Sequence, residues 1–293
     1  MTNPLTPPRR IAIVAHPRLP EALAEAQEME QFLQNCDNCN LQSVTRSTLY
    51  DQEMQDRIKA GEFDMLVALG GDGTMLRAGH LCAPLALPLL GVNMGRFGFL
   101  TEVQRGQWRP MLPKLLTGDY WLERRMMLRA EHWRGEQFLG KYLVLNEVVV
   151  ARGQIVRAIR LKACVDGYPL ANYVADALIA ATPTGSTAYA LATGGPIMPP
   201  ELHNILIIPV APHLSMNRAI ILSQGSSVTI TAYTDHQALL SVDGQSPEMM
   251  LDGDVVKVEA GTDTVNFVRF QDHGYFYRNI TRYMEQNPSA GGV

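Results

Sequence analysis

The sequence predicts an α/β domain with a parallel sheet, followed by a β-rich, two-sheet sandwich-like domain. Three observations predict it. Up to Leu100, short aliphatic runs alternate with amphipathic helical stretches. Beyond Arg124, apolar and polar residues alternate with a period of two, and Asp-Gly dipeptides recur where strands end. At 293 residues, the chain is long enough for one large or two medium domains.

The elements follow in order. Residues 11–15 read as a buried strand, 21–34 as an amphipathic helix and 41–45 as a weak strand. Residues 65–69 and 89–92 are further strands, with a helix over 74–82 between them. Strand and helix in alternation imply right-handed βαβ units and a parallel sheet. Residues 111–116 form a short helix leading out. Alternation is then clearest over 159–165 and 228–232, and Asp166–Gly167, Asp243–Gly244 and Asp252–Gly253 are hairpin signals. One helix-like insertion starts near Ser186. These elements place an α/β phosphate-binding domain at 1–104 and a β-rich domain at 105–270. A C-terminal segment, 271–293, returns to the first domain, with a disordered tail over 287–293.

Composition excludes several classes. A hydrophobic content of 46% and a charged content of 18% are those of a soluble globular protein. A net charge of −4 argues against a nucleic-acid partner, which would call for a broad basic surface. Residues 1–10 are proline-rich and lack the apolar core of a signal peptide. The longest apolar stretch, 81–92, is interrupted by Pro84 and Pro88 and falls short of a membrane span. The expected location is cytoplasmic, with no membrane partner. Cys36 and Cys39 form a C-x2-C pair, but Cys82 and Cys164 are isolated, so no second zinc half-site exists. The pair reads as ordinary reduced thiols at a helix end.

Residues 66–74 read Leu-Val-Ala-Leu-Gly-Gly-Asp-Gly-Thr. Gly70, Gly71 and Gly73 let backbone N–H groups approach a phosphate without side chains in the way. Asp72 would repel that phosphate, and makes sense as a proton acceptor for a nucleophile or as the holder of a metal that travels with the phosphates. A plain strand-to-helix turn with an Asx residue is the simpler alternative. The position, after a buried strand and before a helix, is where α/β folds bind ligands. Arg77 falls one turn into that helix, within reach of a phosphate. Neither G-x-x-x-x-G-K-[ST] nor G-x-G-x-x-G is present, so this is no Walker A kinase and no Rossmann dehydrogenase.

Two further constellations follow. Asn146-Glu147 interrupts an aliphatic strand, where each polar group calls for a partner. The pair suits the hydroxyls of a sugar, or marks a strand end facing solvent. Then Thr182-Pro183-Thr184-Gly185-Ser186-Thr187-Ala188-Tyr189-Ala190-Leu191 crowds hydroxyls before an alanine-rich stretch that Gly194-Gly195-Pro196 ends. Helix capping uses one hydroxyl. Several hydroxyls among small residues suit a flat polar ligand held against the backbone.

In this order, Gly70-Gly71-Asp72-Gly73, Asn146-Glu147 and the run from Thr182 to Tyr189 with Gly194-Gly195-Pro196 resemble the NAD kinase family, of the bacterial type. The resemblance covers about Arg10 to Arg282. The Gly-Gly-Asp-Gly loop is shared with diacylglycerol and phosphofructokinase-like kinases; the Thr-Pro-Thr-Gly-Ser-Thr-Ala-Tyr run narrows the resemblance. It implies transfer of the terminal phosphoryl group of ATP, or in some members polyphosphate, to the 2′-hydroxyl of the adenosine ribose of NAD, giving NADP. It implies Asp72 as general base, with Gly73 and Arg77 beside the phosphates. Asn146 and Glu147 would bind ribose hydroxyls. Thr187, Ala188, Tyr189, Ala190, Leu191 and Ala192 would line the dinucleotide pocket. Asp176, Gln245 and Arg157 match further contacts, and Ser186 and His213 are additional candidates. Mg²⁺ would arrive on ATP, since no acidic or His cluster has protein-only metal spacing. Exposed edge strands suit a homodimer or homotetramer.

Three positions depart from the family pattern. Ala177 stands where glycine is usual, which asks whether the backbone there has positive φ. Val174 replaces a basic residue. Ala219 replaces the proline of a Pro-His loop that is otherwise kept as Pro212-His213 and Arg218. A related small-molecule kinase would keep Asp72 without a dinucleotide pocket, and an NAD(H) or NADP sensor would keep the fold without turnover.

Overall fold

The computed structural model describes residues 5–36, 40–95, 98–213 and 216–286, which divide into two compact units. Unit 1 is residues 1–124 with 263–293; unit 2 is residues 125–262. Cys39, the tail 287–293 and part of the N-terminal and Pro-His segments lie outside the described residues.

Unit 1 begins with β1 (Arg10–Ala15), α1 (Pro20–Gln34), β2 (Ser43–Thr48), α2 (Gln52–Lys59), β3 (Met65–Gly70), α3 (Asp72–Cys82), β4 (Leu89–Asn93), β5 (Val103–Gln104) and α4 (Leu112–Thr117). The first four strands pair in the order β2-β1-β3-β4, all parallel. Connections reverse direction between β1 and β3, so the carboxyl end of β3 sits at the switch point where such sheets bind ligands. The helices earn their places by spacing. In α1, Pro20 starts the first turn, and Ala22, Ala26, Met29 and Leu33 recur on one buried face. They pack on Ile11, Ile13, Val67 and Leu69 in the unit's core.

The chain then passes through β6 (Trp121–Arg134) into unit 2. There follow β7 (Gln137–Val144), β8 (Glu147–Arg152), β9 (Ile159–Val165), β10 (Tyr168–Ala175), β11 (Ala177–Ala181), α5 (Tyr189–Ala192), β12 (Leu206–Val210), β13 (Ile220–Ile221), β14 (Val228–Tyr233), β15 (Ala238–Val242) and β16 (Glu248–Met250). The long strand β17 (Val255–Arg269) starts in unit 2 and ends in unit 1, where α6 (Tyr275–Gln286) closes the chain. Within unit 2, one sheet runs β10-β9-β14-β17-β6-β7 and the other β13-β12-β11-β8-β15-β16. Inward residues of both sheets, among them Leu128, Val150, Leu161, Leu178, Ile207 and Ile230, share one core.

The α/β and two-sheet classes predicted from the sequence are therefore those of the structure. Several details differ. The strand expected over 41–45 occupies Ser43–Thr48, because its span follows a register with β1 (Arg10↔Ser43 to Ala15↔Thr48) and not its own weak pattern. The helix expected from Thr74 starts at Asp72, whose carboxylate suits the positive end of the helix dipole. The insertion near Ser186 amounts to a 3₁₀ turn, Gly185–Thr187, and the single turn of α5. Cys36, expected as a reduced thiol, is disulfide-bonded. Cys82 is fully buried, and burial raises its thiol far above the ordinary range, so it packs as an apolar side chain.

Candidate active site

In unit 1 the site forms where β3 ends. Gly71 caps α3 and Asp72 is its first residue. The Asp72 carboxylate accepts hydrogen bonds from the backbone N–H groups of Phe99 (3.0 Å) and Leu100 (3.3 Å). Gly98 lies so close that a Cβ there would collide with that carboxylate. Asp72 is thus seated from behind by the 98–100 segment and fixed in one orientation.

The glycines of the loop fall into two kinds. At Gly70 a Cβ would run into the Thr74 side chain, so packing alone demands glycine. At Gly71 and Gly73 a Cβ would meet nothing within 4 Å among the described residues, and neither has positive φ. Gly95, after β4, is open in the same way. Among the described residues, packing gives no reason for glycine at these three positions, and all three leave the backbone open to approach. Arg77 is exposed, stacks over the Tyr50 ring at 5.2 Å, and among the described residues pairs with no carboxylate. Asn93 is buried at the end of β4, donating to the Gly95 carbonyl (3.2 Å) and to Gln104 Oε1 (3.1 Å). Asn93, Gly95, Gly98 and the N–H donors of Phe99 and Leu100 were missed from the sequence. For Asn93 and Gly95 the available signal was the Gly91-Val92-Asn93-Met94-Gly95 spacing at the end of an aliphatic strand.

In unit 2, Asn146 and Glu147 begin β8. Asp243, held at φ +50° in its Asp-Gly turn, accepts the N–H groups of Leu145 (2.8 Å), Asn146 (2.7 Å) and Glu147 (3.0 Å). Glu147 is 7% exposed. Burial, then the nearby Asp243 charge, pushes its carboxyl up to about 8, against a weaker opposite pull from the Tyr189 N–H. Its Oε2 has no hydrogen-bond partner among the described residues.

The hydroxyl-rich run folds onto Asn146. The Thr182 N–H donates to the Asn146 carbonyl (2.8 Å), and a Cβ on Gly185 would collide with that same carbonyl. Most of the hydroxyls build the turn itself. Thr182 Oγ1 donates to the Leu145 carbonyl (2.5 Å), Ser186 Oγ to Pro183 (2.6 Å) and Thr187 Oγ1 to Thr184 (2.9 Å). What faces outward is Tyr189, 43% exposed, with Ala188, Leu191 and Ala192 exposed in part and Ala190 buried beneath. Gly194 ends the segment at φ +84°.

The remaining candidates lie elsewhere in unit 2. Asp176 pairs with Arg152 Nε at 2.9 Å. Arg157 pairs with Asp235 at 3.0 Å, and both line a hollow of about 680 Å³ with Val174, Tyr233 and His236. His213 is exposed, and its N–H donates to the Val174 carbonyl at 2.7 Å. Gln245 is exposed in the turn after Asp243. The hollow's lining includes none of Asn146, Glu147 or residues 182–192. Ala177 opens β11 without positive φ, so the alanine meets no backbone strain. Ala219 packs against the small core of Ile179, Ala190 and Ile208.

Two solved structures share this fold. The yeast NADH kinase complexed with NADH superposes with a TM-score of 0.78 over 96% of this chain and 89% of its own, at 24% identity, which speaks to fold alone. An NAD kinase from Archaeoglobus fulgidus in complex with ATP gives 0.71 over 94% and 98%, at 26% identity. Residues 11–120 match the ATP-NAD kinase N-terminal domain and residues 145–270 the ATP-NAD kinase C-terminal domain. The NAD kinase of Heliobacterium modesticaldum is 37% identical over 281 residues, covering 94% of this chain and 98% of that relative. That of Chloroflexus aurantiacus is 33% identical over 95% and 99%. The chain belongs to the ATP-NAD kinase family, a family of phosphotransferases.

Proposed function

We propose that this protein transfers the terminal phosphoryl group of ATP to the 2′-hydroxyl of the adenosine ribose of NAD, giving NADP and ADP. The observation that carries the reading is the pair Gly71 and Gly73, glycines with open space in front of them on either side of an oriented carboxylate. Phosphoryl transfer asks the protein for positioning, charge neutralisation and one placed base. Asp72 takes the proton of the hydroxyl as its oxygen bonds to phosphorus. The backbone at Gly70, Gly71 and Gly73 lies along the phosphates, and Arg77, free of any carboxylate among the described residues, offsets their charge. Mg²⁺ enters as part of the ATP substrate.

Asn146 and Glu147 bind ribose hydroxyls. With its carboxyl raised to about 8, Glu147 keeps its proton at neutral pH and can both donate and accept. Thr187 to Ala192 cover the flat dinucleotide, with Tyr189 as a ring to stack on. Arg157, Val174, Asp176, Gln245 and His213 add outer contacts. No described helix is long and apolar enough to cross a membrane. The proposal includes a cytoplasmic location and a homodimer or homotetramer, in which a second copy would cover the edge strand β10 with its exposed Tyr168.

The test incubates purified protein with NAD⁺, ATP and Mg²⁺ and reads NADP⁺ with an NADP-specific dehydrogenase. NADP⁺ formation is expected. Its absence with ATP and every alternative donor sinks the reading, with NAD binding but no turnover pointing to a sensor and lipid phosphorylation to a related kinase.

A further inference from the structure

Arg269 is a buried cation with no part in the site so far described. It ends β17 and is 1% exposed. Its Nε donates to Glu123 Oε2 (2.5 Å) and to the Tyr275 hydroxyl oxygen (2.9 Å), while the Tyr275 hydroxyl in turn donates to Glu123. Burial works against the charge, but Glu123, Tyr275 and Glu102 outweigh it and hold the guanidinium firmly protonated. Such a buried group is poor evidence for stability, since apolar packing of the same volume does as well or better. Its geometry points to another use.

The two remaining nitrogens, Nη1 and Nη2, both donate to the Leu100 carbonyl at 3.3 Å. Leu100 is the residue whose N–H donates to Asp72. Its backbone is therefore held from both sides, by the Asp72 carboxylate on one and the Arg269 fork on the other. The same stretch is tied down two residues later, where the Glu102 carboxylate accepts the N–H groups of Phe270 (3.2 Å) and Gln271 (2.8 Å). Phe99, the other donor to Asp72, stacks on Tyr283 of α6 at 4.5 Å. Every contact here lies inside unit 1.

We propose that Arg269, clamped by Glu123 and Tyr275, is a positioning residue for Asp72: it fixes the Phe99–Leu100 backbone whose N–H groups orient the carboxylate. The inference rests on the reading of Asp72 as general base. A planar fork is what one carbonyl contacted by two nitrogens requires, and an ammonium would keep the charge facing Glu123 while losing that fork. Displacing a reacting group by about 1 Å can lower turnover by about 10²-fold.

The experiment compares wild type, Arg269→Lys, Tyr275→Phe and Asp72→Asn as full-length protein. In steady-state kinetics, Arg269→Lys is expected to lower kcat by about 10- to 100-fold with KM for NAD and ATP within about twofold, and Tyr275→Phe to lower kcat by less. In substrate-free protein, the Phe99 and Leu100 amides should exchange hydrogen faster in Arg269→Lys, by about tenfold. If Arg269→Lys fails to fold, Tyr275→Phe alone decides: a fall in kcat with faster Leu100 exchange supports the inference, and wild-type values of both overturn it. If Asp72→Asn is inactive while the folded Arg269→Lys enzyme keeps wild-type kcat, the positioning role falls and the base stands. If Asp72→Asn itself keeps wild-type kcat, the base reading falls and the inference with it.

Discussion

Two candidate acids, Asp72 in unit 1 and Glu147 in unit 2, are held in opposite ways. Asp72 has two fixed N–H donors behind it and stands at the positive end of a helix. Glu147 is buried, faces a second acid in Asp243, and leaves Oε2 without a partner among the described residues. One residue class thus yields two tools. A carboxylate whose lone pairs are partly taken by rigid donors is an acceptor of set direction. One that is desolvated beside a like charge keeps its proton to about 8 and becomes a hydrogen-bond donor as well. The same contrast separates the glycines, for Gly185 answers to packing against Asn146 while Gly71 and Gly73 face nothing within 4 Å among the described residues.

Four substitutions break or sharpen this contrast. Asp72→Asn keeps the shape but cannot take a proton, and turnover should fall by about 10³-fold while calorimetric NAD binding survives; a wild-type rate would show that Asp72 is not the base. Gly185→Ala forces a Cβ into the Asn146 carbonyl, and should cost about 1–3 kcal/mol in urea unfolding together with a raised KM for NAD. Gly73→Ala should do the reverse. Its Cβ enters open space in a helical first turn, so stability should hold within about 1 kcal/mol while kcat/KM for ATP drops by about tenfold. An alanine variant as active as wild type would mean that no ligand comes near that position.

The last substitution concerns pH. The Glu147 carboxyl is raised from 4.5 to about 8 in the folded protein, so between these values the folded state binds more protons than the unfolded one. Its contribution is fully present below about pH 4.5 and is lost as pH rises through about 8. Relative to wild type, Glu147→Gln should gain melting temperature across that window and level off above it. Parallel curves for the two proteins would show that burial does not hold the proton.

What could be read in advance was local. The aliphatic run into Gly70 and the one-faced spacing of Ala22, Ala26, Met29 and Leu33 gave β3 and α1 nearly to the residue. The span of β2 could not be read, because the register with β1 sets it. Ala177 looked like a departure with a backbone cost, yet as the opening residue of a strand it carries none. The hydroxyls of the run from Thr182 suit ligand contacts, whereas Ser186 and Thr187 donate into their own turn and Thr182 donates to the Leu145 carbonyl. The donors to Asp72 were out of reach altogether. They are backbone N–H groups 27 and 28 residues downstream, and a backbone N–H leaves no mark in a sequence.

A ribosome makes this chain from its amino end, and unit 1 is split across that order. Residues 125–262, the whole of unit 2, emerge between its two parts. Asp72 is therefore synthesised early but gains the support of Arg269 and Tyr275 only when nearly the entire polypeptide is out. A nascent or prematurely terminated chain would carry the acid and its 98–100 seat but not the Arg269 fork that holds the Leu100 carbonyl from the other side.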